Sequence, residues 1–108
     1  MLSRKEIIAI PREFNESQIL LLQKQLKRLA RSEPDLIVVN FSNCEKITMG
    51  SETLRRAVNL FARFGVRFAC AMDNIKITTQ LNAVDNVDLY PSLASAYFSW
   101  SPVPEVRL

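Results

Sequence analysis

The side chains with chemistry to offer gather between residues 42 and 59. A polar run, Ser42-Asn43-Cys44-Glu45-Lys46-Ile47-Thr48-Met49-Gly50-Ser51, leads into a segment carrying Glu52, Arg55, Arg56 and Asn59. Thr48 and Ser51 bring hydroxyls, and Arg55 and Arg56 bring forked, permanently charged donors. Met49 adds an unbranched, adaptable contact. This set suits recognition of another protein better than bond breaking. The expected partner-binding residues are Thr48, Met49, Gly50, Ser51, Arg55, Arg56 and Asn59.

The rest of the composition argues against catalysis. The chain has no histidine, so it lacks the commonest general base and the commonest metal ligand. Its two glycines, Gly50 and Gly65, are too few for a phosphate-cradling loop. The acidic residues Glu45, Glu52, Asp73, Asp85 and Asp88 are scattered and have cap, turn or salt-bridge explanations. The expectation is a protein that is not an enzyme, with no catalytic residue, cofactor site or metal site. Cys44 and Cys70 have no CxxC spacing and sit in or beside apolar runs. They read as small core residues in a reducing compartment.

The elements that position the polar run follow from periodicity. Leu36-Ile37-Val38-Val39-Asn40-Phe41 is apolar without alternation, the mark of a strand covered on both faces. A helix from about residue 49 or 50 to 64 turns Leu54, Ala57, Val58, Phe61 and either Leu60 or Phe64 inward. Thr48 and Ser51 read as caps for its start, Glu52 and Arg56 as a pair four residues apart, and Gly65 as its C-terminal cap. Val66 to Met72 is a second central strand. Strand, loop, helix, strand is the unit of a parallel sheet.

Ahead of this unit, residues 6–10 read as a short strand ending at Pro11. Asn15 and Gln18 have capping-box spacing before a helix over 16–31. That helix buries Ile19, Leu22, Leu26, Leu29 and Ala30, with Leu20 and Leu21 widening the apolar face. Lys24, Lys27, Arg28 and Arg31 line another face, read as solvated or as a contact for an acidic partner or anionic membrane. Beyond residue 73, a helix over 75–83 buries Ile77, Leu81 and Val84. Asp85-Asn86 turns the chain, Val87 to Tyr90 forms a short strand, and a last helix runs from Pro91 or Ser92 through Trp100. That helix buries Leu93, Ala96 and Tyr97 or Trp100.

The 108 residues fit one domain, expected over 1–100, with a Pro-containing tail at 101–108. A net charge of +3 is too mild to imply nucleic-acid binding, and no aromatic side chains interleave with the cations of the first helix. Ile7-Ile8-Ala9-Ile10 is too short for a signal peptide or a membrane span, so no membrane insertion and a cytoplasmic location are expected.

The order β-α-β-loop-α-β-α-β-α resembles a STAS domain, the fold of the bacterial anti-sigma factor antagonists. The likeness rests on Ile8-Ala9-Ile10-Pro11-Arg12-Glu13-Phe14-Asn15 leading into a Leu-rich helix. It rests also on the run from Leu36 to Ile47 entering a polar loop and helix, and on Tyr90-Pro91-Ser92-Leu93 opening a closing helix. The alternative is a different small α/β fold, such as a thioredoxin-like one. The resemblance implies an α/β, STAS-like domain with a mixed four- to five-stranded sheet and about four helices. It also implies a regulatory docking module whose partner is an anti-sigma factor or a kinase-like protein. The family's signature is Asp-Ser-Ser/Thr-Gly-Leu, in which the first Ser is phosphorylated. Thr48, Met49, Gly50, Ser51 and Glu52 occupy its positions here. Met49 cannot accept a phosphate, so the implied module lacks the phosphorylation switch. The alternative is an accessory subunit of a bacterial lipid-transport ABC system, which would bind the transporter ATPase through the same loop; Gly50 would match a glycine of that group's Thr-Gly-Gly loop. The strand that precedes residues 6–10 in the family is expected to be missing or vestigial. That leaves an edge, and a homodimer is expected to form through it or through the Pro-containing tail.

Overall fold

The computed structural model describes residues 4–71, 73–84 and 87–98. Six strands and four α-helices follow one another along the described chain. They are β1 (Lys5–Ala9), β2 (Glu13–Phe14), α1 (Ile19–Arg31), β3 (Leu36–Asn40), β4 (Lys46–Ile47), α2 (Ser51–Ala62), β5 (Arg67–Ala69), α3 (Ile75–Asn82), β6 (Leu89–Tyr90) and α4 (Leu93–Phe98). A 3-10 turn at Glu16–Gln18 precedes α1. The protein is therefore of the α/β class, with the expected four helices and a four-stranded main sheet.

The main sheet has the order β1-β3-β5-β6, and every pairing in it is parallel. Lys5 faces Leu36, Val38 faces Arg67 and Phe68 faces Leu89 across these ladders. Among the described residues β1 is a terminal strand, with β3 as its only strand neighbour. All five residues of β3 are buried, as its unbroken apolar run requires. Alternation along β3 divides the core. Ile37, Val39 and Phe41 join Leu22 and Leu26 of α1, Leu54, Ala57, Val58 and Phe61 of α2, and Ile77 and Leu81 of α3. Leu36 and Val38 turn the other way and pack with Ala69 and Ala96, with Leu93 and Tyr90 alongside. Three helices thus cover one face of the sheet and the short α4 the other.

Two cations hold α4 in place. Arg67 Nη1 donates to the Ala96 carbonyl at 2.9 Å, and Lys5 Nζ donates to the Tyr97 carbonyl at 2.8 Å. The same ammonium lies 4.5 Å from the Tyr97 ring centroid, within cation–π range.

Local signals explain most boundaries. The Asn15 N–H donates to Gln18 Oε1 at 2.9 Å, one half of the capping box expected there. Gly65 has φ of 70°, a left-handed conformation that glycine adopts without steric cost, and its N–H donates to the Ala62 carbonyl at 3.0 Å. The helix ends at Ala62, short of the expected 64, and Phe64 packs against the core from the turn beyond it, while Leu60 does not.

Several expectations need correction, among them the last strand, which spans Leu89–Tyr90 and not Val87 to Tyr90. Leu20 and Leu21 do not widen the apolar face of α1; they are 60% and 65% exposed. The second central strand is shorter than 66–72, running Arg67–Ala69. The closing helix begins at Leu93, since Pro91 and Ser92 form a bend before it. The polar run at 42–51 is not all loop, because Lys46 and Ile47 pair in parallel with Glu13 and Phe14 to form a second, two-stranded sheet. The expectations for Met72, the Asp85-Asn86 turn, Trp100 and the 101–108 tail lie outside the described residues.

Candidate functional site

The polar run leaves the C-terminal end of β3 and is tied back to the domain at several points. The Ser42 N–H donates to Asn40 Oδ1 and the Cys44 N–H to the Phe41 carbonyl, both at 3.0 Å. The N–H groups of Glu45 and Lys46 share the Arg12 carbonyl at 2.7 and 3.0 Å. The Thr48 N–H donates to the Phe14 carbonyl at 3.0 Å. These last bonds extend the β2–β4 pairing. Phe14 anchors them, because its ring is fully buried and stacks edge-on against Phe41 at 5.7 Å.

A further tie comes from α3. Asn74 Nδ2 donates to the Cys44 carbonyl at 2.8 Å, while Asn74 Oδ1 accepts from the Ile77 N–H at 3.3 Å. One side chain therefore caps α3 and braces the loop. Cys44 itself is buried and unpaired with any other cysteine, as is Cys70. Burial pushes the Cys44 thiol above its ordinary pKa, against a smaller opposing effect of backbone hydrogen bonding at Lys46.

Held in this way, the end of the run projects outward. Thr48, Gly50 and Ser51 are exposed, and Met49 is half-buried with its apolar surface against the core. Gly50 is the N-cap of α2 and has no side chain to bond the first turn. The capping roles expected of Thr48 and Ser51 are thus not found. The Thr48 hydroxyl lies 3.5 Å from the Phe14 carbonyl, and Ser51 is already the first helical residue.

On α2, Glu52 is flanked by Arg55 and Arg56. Arg55 Nε donates to Glu52 Oε1 at 3.3 Å, its Nη2 contacts Oε2, and Arg56 Nε lies 3.4 Å from Oε2. The expected Glu52–Arg56 pair is present, with Arg55 added to it. The hydrogen bond from Arg55 is the main reason that the Glu52 carboxyl lies below its ordinary pKa. These pairs are exposed and contribute little to stability. They instead fix a charged ledge beside the loop.

Sequence reasoning missed one side of this surface. A shallow groove of about 440 Å³ runs between α2 and α3, lined by Ser51, Glu52, Leu54, Arg55, Thr79, Gln80, Ala83 and Val84. Its floor is aliphatic and its rim polar, a mixture that suits side chains of a protein partner. Ser51 and Arg55 belong to this lining; Arg56 and the half-buried Asn59 do not. Thr79 and Gln80 carried no signal of their own, because only the packing of α3 beside α2 brings them to Ser51.

Among the described residues, no group of three His, Cys, Asp or Glu side chains is placed to hold a metal ion. No described helix is long and apolar enough to cross a membrane. The fold and the braced loop define a small α/β domain with a projecting polar ledge. No family model matches the chain, and neither a curated protein nor a solved structure matches it.

Proposed function

We propose that this chain is a non-catalytic docking module that binds another protein through the tip at Thr48–Ser51 and the α2–α3 groove beside it. The observation that carries this reading is the contrast between a tip left open to solvent and a base tied down. The base is held by Asn74, Arg12 and Phe14, while Thr48, Gly50 and Ser51 stay exposed. A surface presented on a rigid support loses little conformational entropy on binding. Arg55, Arg56 and Asn59 extend the contact along α2, and Met49 supplies an apolar element at its edge.

The resemblance to anti-sigma factor antagonists supplies the biological setting: a cytoplasmic regulator whose partner is an anti-sigma factor or a kinase-like protein. Its phosphorylation switch is absent, because Met49 stands at the phosphoacceptor position and packs against the core. The second reading, a lipid-transport accessory that binds the transporter ATPase, draws support from exposed Gly50 at the N-cap of α2. Self-association, in either setting, would use the outer edge of β1. A pull-down comparing the wild type with a Met49→Asp/Arg56→Glu variant tests the surface. The partner is expected to be lost from the variant, and equal recovery from both refutes the placement.

A further inference from the structure

The outer face of α1 belongs to neither the braced loop nor the groove. Helical geometry advances about 100° per residue, so Leu20, Leu21, Lys24, Lys27, Arg28 and Arg31 fall within an arc of about 120°. All six are exposed, the two leucines at 60% and 65%. Ile19, Leu22, Leu26 and Leu29 occupy the opposite, inward side. The helix contains no acidic residue, and none of the four cations takes part in an ion pair among the described residues. Their side chains ring a single shallow depression. The strip runs from Leu20 to Arg31, about 16 Å at the rise of an α-helix.

Four like charges on one helix face repel one another, and two leucines beside them lie in water. Both costs are relieved by one kind of surface, which is anionic and has an apolar layer just beneath it. We propose that the outer face of α1 is a peripheral docking surface for an anionic phospholipid bilayer. The four cations meet headgroup phosphates while Leu20 and Leu21 reach the boundary of the acyl chains. A purely acidic polypeptide would answer the charges but leave the leucine pair in water. The helix lies on the surface without crossing it, and the sheet with the remaining helices stays outside the bilayer. Since α1 packs beside α2, a partner held at the loop would be brought close to the membrane.

Co-sedimentation of the intact chain with vesicles tests this directly. Vesicles of phosphatidylglycerol mixed with phosphatidylcholine are expected to carry the protein down at low salt, and pure phosphatidylcholine is not. Each basic side chain near such a surface contributes roughly a fivefold gain, so Lys24→Gln/Arg28→Gln should lower partitioning about 25-fold. Leu20→Ser/Leu21→Ser should also lower it, while leaving retention on immobilised polyglutamate unchanged. All four substitutions are at exposed positions, and far-UV circular dichroism is expected to stay that of the wild type. The proposal is overturned by equal sedimentation with both vesicle types or by none with either. It is also overturned if anionic-vesicle binding ignores the leucine changes, or if polyglutamate retains the protein and anionic vesicles do not.

Discussion

Asn74 offers a way to separate the stability of the fold from the rigidity of the loop. Its Oδ1 caps α3 and its Nδ2 holds the Cys44 carbonyl at 2.8 Å. Loss of an N-cap costs about 1 kcal/mol, and loss of a cross-loop hydrogen bond about 1 kcal/mol more. Asn74→Ala should therefore destabilise the domain by about 2 kcal/mol, or about 8 °C in Tm at roughly 4 °C per kcal/mol for a chain of this length. Asn74→Asp keeps the acceptor and places a negative charge where the helix dipole favours it. It cannot donate to Cys44, and it sets a carboxylate against that carbonyl. Its expected cost is about 1 kcal/mol, with the loop freed as fully as in the alanine variant. Urea unfolding gives the stability of each variant. Amide hydrogen exchange at Glu45, Lys46 and Thr48 reports the loop, because these N–H groups bond to Arg12 and Phe14. Both variants should exchange faster there than the wild type. Wild-type exchange in Asn74→Asp, or an Asn74→Ala cost below about 0.5 kcal/mol, would refute the bracing role.

Two more perturbations read the same structure. Burial raises the Cys44 pKa, so the unfolded thiol ionises before the folded one. Its stabilising contribution is complete below the ordinary thiol value and is lost as pH rises through the folded value. The urea midpoint should fall from neutral pH to about pH 10, and Cys44→Ala should flatten that fall. Gly65→Ala meets no neighbour within 4 Å, so its cost is that of the backbone at φ 70° alone. A loss of about 1 kcal/mol is expected, whereas Gly50→Ala, at φ of −66°, should leave the unfolding midpoint nearly unchanged.

Much of the frame was legible because burial leaves a pattern. The run Leu36 to Val39 has no polar alternate, and that alone places it between two layers of helices. The inward set of α2 was found for a similar reason, since Leu54, Ala57, Val58 and Phe61 repeat at helical spacing. The α1 arc was harder to bound. Leu20 and Leu21 adjoin Ile19 and Leu22 in sequence, and hydrophobicity does not reveal which of four neighbours face outward. Strands of two residues, such as β2 and β4, are too short to show any period. Their pairing rests on Phe14 being held in the core, a tertiary fact. The site was half legible for the same reason. Thr48 to Asn59 are contiguous and stood out by type. Asn74, Thr79 and Gln80 reach the site only through the folding of α3 against the loop and α2.

The central claim is that the exposed tip beside the α2–α3 groove is where a partner binds. Site-specific photo-crosslinking in cells tests it most directly, with the reactive side chain placed at Ser51 or, as a control, at exposed Ala94 on the opposite face of the sheet. A single adduct is predicted from Ser51 and none from Ala94, and Met49→Asp/Arg56→Glu should abolish it. An adduct from Ala94 alone, or one from Ser51 that persists in the double variant, would contradict the account.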